Sequence, residues 1–147
     1  MDAVLARAKS LIRRDGVRGL VIDPWNEIEG SRPSNQSETE YISYVLGQAR
    51  RFARDQGIHL WIVAHPTKIR RDPRTGATPI PTLYDISGSA HWRNKADNGI
   101  VVVRDMNDHD SPVEIHVQKI RFKAVGMPGV ARLRYNRVCG TYSEWEG

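Results

Sequence analysis

Short apolar runs alternate along the chain with longer stretches in which apolar residues recur at helical spacing. At 3–15 that spacing predicts a helix, and Gly16 fits the position just after its end. The run Leu20-Val21-Ile22 predicts a strand over about 18–23, because β-branched residues favour strands and a short continuous apolar run is typical of a strand buried on both faces. Such strands are characteristic of parallel sheets.

A second helix and a second strand follow the first strand. Ser37-Glu38-Thr39-Glu40 has the capping-box pattern, and an apolar face continues to about 56, where Gly57 ends the helix. The apolar run at 58–64 predicts the next strand. Strand, helix and strand in this order form a βαβ unit, so we expect two parallel strands joined by a right-handed crossover.

Both predicted strands stop at a polar residue that is followed by proline. Asp23-Pro24 ends the first strand and His65-Pro66 ends the second. Both side chains are therefore expected at the carboxyl edge of one sheet, where open α/β sheets bind their ligands. A carboxylate there can hold Mg²⁺ beside a nucleotide phosphate, as the Walker B Asp of P-loop ATPases does. The alternative is an Asp that only caps a turn.

The remaining sequence predicts a long loop and then three strands. Residues 67–82 form a loop with three prolines, and a loop of this length is usually functional or disordered. A short helix near 89–95 precedes a third core strand at 100–103, and alternation at 113–118 and about 130–135 predicts a hairpin. The expected fold class is α/β, with a mostly parallel sheet, flanking helices and a C-terminal antiparallel hairpin.

Length and charge narrow the possibilities. A chain of 147 residues allows one domain with a real core, so we expect a single domain over 1–147. The net charge is +5 and its distribution is uneven: 68–74 holds four cations and one Asp, and 115–143 holds no acidic residue. This clustering indicates either a polyanionic partner, nucleic acid or nucleotide phosphate, or a solvated basic face.

Composition argues against several classes of protein. No apolar run approaches the roughly 18 residues of a membrane span, and the N-terminus lacks a signal-peptide pattern. The single cysteine, Cys139, can form no internal disulfide, which fits a reducing cytosol. The His and Cys residues show no metal-ligand spacing. We therefore expect a cytoplasmic protein with no membrane contact.

Four blocks of sequence occur in an order known from one family of ATPases. They are Leu20-Val21-Ile22-Asp23; Trp61-Ile62-Val63-Ala64-His65-Pro66-Thr67-Lys68; Asp85-Ile86-Ser87-Gly88-Ser89-Ala90 through Asn94-Lys95-Ala96-Asp97-Asn98; and Val117-Gln118-Lys119-Ile120-Arg121-Phe122 with Gly129 and Leu133-Arg134-Tyr135-Asn136. Together they resemble the RecA-like ATPase core of DnaB-type replicative helicases, in the branch of Twinkle and the phage primase-helicases. In turn they look like Walker B, the strand ending in a phosphate-sensing His, the block from Gly-Ser-Ala to Ala-Asp, and the strand of the arginine finger.

The resemblance implies roles for four residues at a nucleotide site. Asp23 would hold Mg²⁺ and orient the attacking water, and His65 would sense the γ-phosphate of ATP. Arg121 would be the arginine finger that acts on the nucleotide of a neighbouring subunit, and Lys119, on the same strand face, would contact the same phosphates. The alternatives are a capping Asp, a satisfied strand-end His and a solvated basic strand.

The resemblance also implies partners. A homo-oligomeric, hexameric ring would move on single-stranded DNA by hydrolysing ATP, in a bacterial or phage-encoded protein. Its DNA channel would be lined by basic and small residues of this chain: Lys68, Arg70, Arg71, Arg74, Gly88 and Ser89. The alternative for the four cations is a disordered basic loop. The alternative functions are a non-hydrolysing nucleic-acid-binding module and a recombinase-like ATPase.

In one respect the sequence departs from the family. The P-loop pattern Gly-x-x-x-x-Gly-Lys-Ser/Thr does not occur in these 147 residues. We therefore expect the chain to correspond to the C-terminal half of the core and to hydrolyse ATP poorly or not at all alone. In its complete form the expected protein is an ATP-dependent DNA helicase that uses Mg²⁺ and ATP.

Overall fold

Helices and strands follow the apolar pattern closely in the computed structural model, which describes residues 1–28, 32–76, 78–86, 90–108 and 110–147. In chain order the elements are α1 (Asp2–Asp15), β1 (Gly19–Ile22), α2 (Glu38–Gln56), β2 (His59–Ile62), α3 (His91–Lys95), β3 (Asn98–Val103), β4 (Val113–Ile120), β5 (Gly129–Asn136) and β6 (Thr141–Glu144). Single 3₁₀ turns lie at Trp25–Glu27 and Lys123–Val125.

The described chain divides into two compact units. Unit 1 consists of Met1–Ile69 and Tyr84–Ala96, and unit 2 consists of Arg70–Leu83 and Asp97–Gly147. The expectation of a single domain over 1–147 stays a prediction. Neither α1 nor any other helix in the described ranges is long and apolar enough to cross a membrane.

The long helices of unit 1 begin and end where the sequence predicts. Ser37 caps α2: its Oγ accepts from the Glu40 N–H at 3.3 Å, and a Glu40 carboxylate oxygen accepts from the Ser37 N–H at 3.0 Å. This reciprocal pair satisfies backbone donors that the first turn leaves without partners. Gly16 and Gly57 follow α1 and α2 with φ of 68° and 62°, a left-handed conformation that costs glycine little.

One face of α2 forms the core of unit 1. Tyr41, Val45 and Ala49 are buried there. Trp25 and Trp92 pack against this face and against each other, edge to face, with ring centroids 5.0 Å apart. These two tryptophans are therefore packing residues.

The two strands of unit 1 are parallel, as the βαβ pattern predicts. Gly19 pairs with His59 and Ile22 pairs with Ile62. The ladder continues past both strands, because the Val63 N–H donates to the Ile22 carbonyl at 2.9 Å and the Trp25 N–H donates to the Val63 carbonyl at 2.8 Å. This continued pairing holds the segments after β1 and β2 side by side.

Unit 2 is an antiparallel sheet in the order β3-β4-β5-β6. The α/β class is confirmed, but the predicted balance of strands differs: two described strands are parallel and four are antiparallel. The reason is the short connection at 104–112, which returns the chain directly beside β3, whereas parallel pairing needs a long crossover. Strand β6 was not predicted.

A cross-strand cluster joins β4 to β5. Glu114 lies opposite Arg132, whose Nε donates to the Glu114 carboxylate at 2.9 Å, and His116 contacts the other carboxylate oxygen at 2.9 Å. The Arg132 hydrogen bond, followed by that of His116, lowers the pKa of Glu114 below its usual range.

A close approach fixes Leu83 on the sheet of unit 2. Leu83 is buried, and it lies over Gly99 of β3. A Cβ at position 99 would overlap Leu83 Cδ1 and would come within 3.0 Å of both Cδ2 and Cγ. Glycine is therefore needed at 99 for steric reasons and not for its φ angle.

Candidate nucleotide-binding edge and basic strand

Asp23 and His65 lie at the same edge of the parallel sheet. Asp23 directly follows β1, and His65 stands three residues beyond the end of β2, in the segment that the continued ladder holds beside the Asp23 segment. Both residues are exposed. The two strand-end groups that the sequence singles out thus lie at one edge of the sheet, although β2 is shorter than predicted.

The segment that follows His65 is held by residues from the far end of the loop. Pro66 forms an isolated antiparallel bridge with Ile86. Thr67 donates twice to the Asp85 carbonyl, from its N–H at 2.7 Å and from its hydroxyl at 2.9 Å. The loop that begins at 68 is therefore closed at its base. The predicted DNA-contacting residues Gly88 and Ser89 lie outside the described residues.

The chemistry of the edge fits a magnesium ion bound mainly through phosphate and water. Among the described residues no group of three or more His, Cys, Asp or Glu side chains could enclose a metal ion. Mg²⁺ sites that serve nucleotides commonly use only one or two carboxylates, with phosphate oxygens and water completing the octahedron. A single exposed carboxylate such as Asp23 matches that donor set.

Lys119 and Arg121 lie at the end of β4 in unit 2. Lys119 is half-buried and pairs with Gly99 of β3. Arg121 is the first residue after β4, and its N–H donates to the Asp97 carbonyl at 2.8 Å, which extends the pairing of β3 and β4 by one step. The two cations are therefore fixed at the point where this pair of strands ends.

Asp97 forms an ion pair with Arg121. The Arg121 Nε lies 2.6 Å from Asp97 Oδ1, and both atoms are shielded from solvent although the side chains are 30% and 39% exposed. A guanidinium group carries five N–H donors, and Nε supplies one of them. Sequence reasoning placed Asp97 in the third block without assigning it a role, because the pairing that brings it to Arg121 is non-local.

The loop that begins at 68 and ends at 83, called the basic loop below, has its cations exposed to solvent. Lys68, Arg70, Arg71 and Arg74 are all exposed. Asp72 organises a turn among them: its carboxylate accepts from the Arg74 N–H at 2.7 Å, and its carbonyl accepts from the Gly76 N–H at 2.8 Å. No helix or strand is assigned to the described residues between β2 and α3, as the sequence predicts.

Comparison with known proteins gives both a relative and a fold. No family model matches the chain. The chain is 47% identical, over 147 residues and 98% of its length, to the Twinkle homolog protein, chloroplastic/mitochondrial, of Arabidopsis thaliana. The match covers 20% of that protein, so the chain spans about a fifth of its relative's length.

Two solved structures share the fold across 99% of the chain, each with a TM-score of 0.78 and 20% identity. One is an ATPase domain, of which the chain covers 51%. The other is a DnaB-like replicative helicase described with its interactions with primase, of which the chain covers 36%. The relationship to Twinkle and the shared fold confirm that this chain resembles the RecA-like core of DnaB-type helicases.

Proposed function

We propose that this chain supplies part of the ATPase core of a replicative DNA helicase, which couples ATP hydrolysis to movement on single-stranded DNA. The observation that carries the proposal is the shared edge of Asp23 and His65, found in a chain that is 47% identical to a Twinkle homolog. Ligands of open α/β sheets bind at this edge. Asp23 would hold Mg²⁺, which would neutralise phosphoryl charge when bound.

His65 would report the state of the nucleotide. An imidazole donates from one ring nitrogen and accepts at the other, so it can contact a phosphate oxygen and pass a change on to a second group. The segment after His65 is bonded to 85–86 and leads into the basic loop. Loss of the γ-phosphate at His65 would therefore first change the contacts at the base of that loop.

Arg121 would act as the arginine finger, with Lys119 contacting the same phosphates. A planar, permanently charged guanidinium suits the charge that spreads over the transferring phosphoryl group. Asp97 holds Arg121 at Nε, which restricts the side chain before any nucleotide is present. Because such fingers act on a neighbouring subunit's nucleotide, the proposal includes a homo-oligomeric, hexameric ring.

The basic loop would contact DNA. Lys68, Arg70, Arg71 and Arg74 present four cations on an exposed loop whose base is closed by hydrogen bonds. Cations that follow a sugar–phosphate backbone give binding that is independent of sequence and sensitive to salt. Gly88 and Ser89 would add a close approach of the backbone to the DNA.

Arg121→Ala in the complete natural protein tests the proposal, with Arg137→Ala, at an exposed arginine after β5, as the control. We expect the first variant to lose ATP turnover by about 10³-fold or more while nucleotide affinity stays within a few-fold. The control should keep both. Turnover that survives Arg121→Ala would show that Arg121 is not the finger.

A mixing experiment tests whether Arg121 acts between subunits. Asp23→Ala and Arg121→Ala proteins should each be inactive, but rings that contain both should regain turnover at interfaces where an intact Asp23 faces an intact Arg121. If the mixture stays inactive although mixed rings form, both groups belong to one subunit's site. Absence of any turnover in the wild-type protein would favour a non-hydrolysing binding module.

A further inference from the structure

Gln118 of β4 binds the end of the basic loop through both ends of its side-chain amide. Its Nε2 donates to the Pro81 carbonyl at 2.7 Å, and its Oε1 accepts from the Leu83 N–H at 3.1 Å. Both bonds are part-buried, which shields them from competition by water. The loop's final residues are thus attached to the strand that carries Lys119 and Arg121.

This arrangement uses the amide as a substitute for a neighbouring strand. The Pro81 carbonyl and the Leu83 N–H are the acceptor and donor that an adjacent β-strand would pair with. Only a side chain with one donor group and one acceptor group at this reach can satisfy both. Two bonds from one rigid group fix the orientation of the loop end as well as its position.

A second, independent contact anchors the same loop end. Leu83 is buried over Gly99, in the space that a Cβ at 99 would fill. Gly99 pairs with Lys119 in the β3–β4 ladder. The loop end is therefore attached to β3 by packing and to β4 by hydrogen bonds, and Lys119 is the immediate neighbour of both attachment points.

We propose that Gln118 is a positioning residue that couples DNA binding at the basic loop to the placement of Lys119 and Arg121. The inference rests on the proposed function and extends it to how the site is regulated. DNA phosphates that fix the cations of the loop also fix its end, and Gln118 transfers that constraint to β4 one residue before Lys119. Without this link, DNA can bind the loop while the cations of β4 do not respond.

The test compares Gln118→Leu and Gln118→Glu with wild-type protein, in the complete natural form. Leucine fills a similar volume and removes both bonds, whereas glutamate keeps the acceptor and loses the donor. Gln56→Leu, at the last residue of α2, is the control. ATP turnover is measured with and without single-stranded oligonucleotide, together with oligonucleotide affinity and far-UV circular dichroism.

We expect Gln118→Leu to keep turnover without DNA within about twofold of wild type and to lose stimulation by DNA about tenfold. Gln118→Glu should fall between, and Gln56→Leu should match wild type. A purely structural role would lower both rates together and leave their ratio unchanged, which would overturn the inference. Should Gln118→Leu fail to fold, the glutamate variant carries the same comparison of ratios.

Amide hydrogen exchange at Leu83 separates the two proposals. Gln118→Leu should speed exchange of this amide at least tenfold, with or without DNA, since its acceptor is lost. Exchange that stays slow would refute the attachment itself. Normal DNA stimulation in Gln118→Leu beside an active wild type would sink only this inference, whereas a wild type that neither binds DNA nor hydrolyses ATP would sink the proposed function with it.

Discussion

Gly99→Ala is a sharp test of how the loop end packs on the sheet. The new methyl group would overlap Leu83 Cδ1 and crowd Cδ2 and Cγ at 3.0 Å, so the whole Leu83 side chain has to move. Because Leu83 is only 7% exposed, it has little free space to move into. Backbone strain does not contribute to the cost, because Gly99 does not have a positive φ angle.

The expected cost follows from these contacts. Overpacking a filled site costs about 1–3 kcal/mol, and expelling a leucine from the core forfeits about 1.5–3 kcal/mol. Replacing glycine by alanine also restricts the unfolded chain, which returns about 0.4–1 kcal/mol. Taking the middle of each range for the cheaper rearrangement, about 2 kcal/mol for overpacking less about 0.7 kcal/mol for the unfolded-state entropy, we expect Gly99→Ala to lower the free energy of unfolding by about 1.3 kcal/mol.

Urea unfolding followed by circular dichroism measures this change. Gly129→Ala in β5 is the matched control, because a Cβ there meets no atom within 4 Å, and it should change stability by under about 0.5 kcal/mol. Leu83→Ala supplies the second arm of a double-mutant cycle: with the clash partner removed, adding Gly99→Ala should cost nothing further. An equal penalty in both backgrounds would refute the steric explanation.

Two further predictions concern charge. Neutralising Lys68, Arg70 and Arg71 together should make the plot of log binding constant against log salt concentration shallower by about 2 for single-stranded DNA, because each phosphate contact contributes about 0.7 to that slope. Replacing Arg7, Lys9 and Arg13 of α1 should leave the slope unchanged. An unchanged slope in the loop variant would exclude these cations from the DNA contact. The hydrogen bond from Arg132, followed by that from His116, lowers the pKa of Glu114 in the folded protein. The ionised Glu114 side chain therefore stabilises the fold at pH values above the ordinary glutamate pKa, and this stabilisation is lost as the pH falls through the lowered pKa of the folded state. Glu114→Gln should therefore lower the urea midpoint of unfolding at pH 7, and the gap between the midpoints of variant and wild type should narrow below about pH 4. A gap that does not change with pH would show that the ionised Glu114 side chain does not stabilise the fold.

Local signals account for most of the secondary structure that the sequence predicts correctly. Ser37 and Glu40 form the capping box three residues apart, and Gly57 ends the same helix, so each signal acts within one turn. The parallel pairing of β1 and β2 follows from the length of the crossover between them. The edge shared by Asp23 and His65 then follows from parallel pairing alone.

Features that depend on distant residues were not predictable in this way. Asp97 meets Arg121 only after β3 and β4 pair, and the residues between them carry no mark of that contact. Alternation in β4 marks Gln118 as a polar position but cannot show that its amide binds residues 35 and 37 positions earlier. The extent of the antiparallel sheet depends likewise on tertiary pairing.

The interleaving of the two units limits how the chain can be divided. Along the chain, the first segment of unit 2, Arg70–Leu83, lies between the two segments of unit 1, the second of which is Tyr84–Ala96. A single cut after 69 removes α3 and Trp92 from the core of unit 1, and a single cut after 96 separates Leu83 from the Gly99 that receives it. Expressing either unit by itself would therefore require a rejoined or circularly permuted gene, and a protease that cuts the basic loop between 70 and 74 would leave the two segments of unit 1 on different fragments.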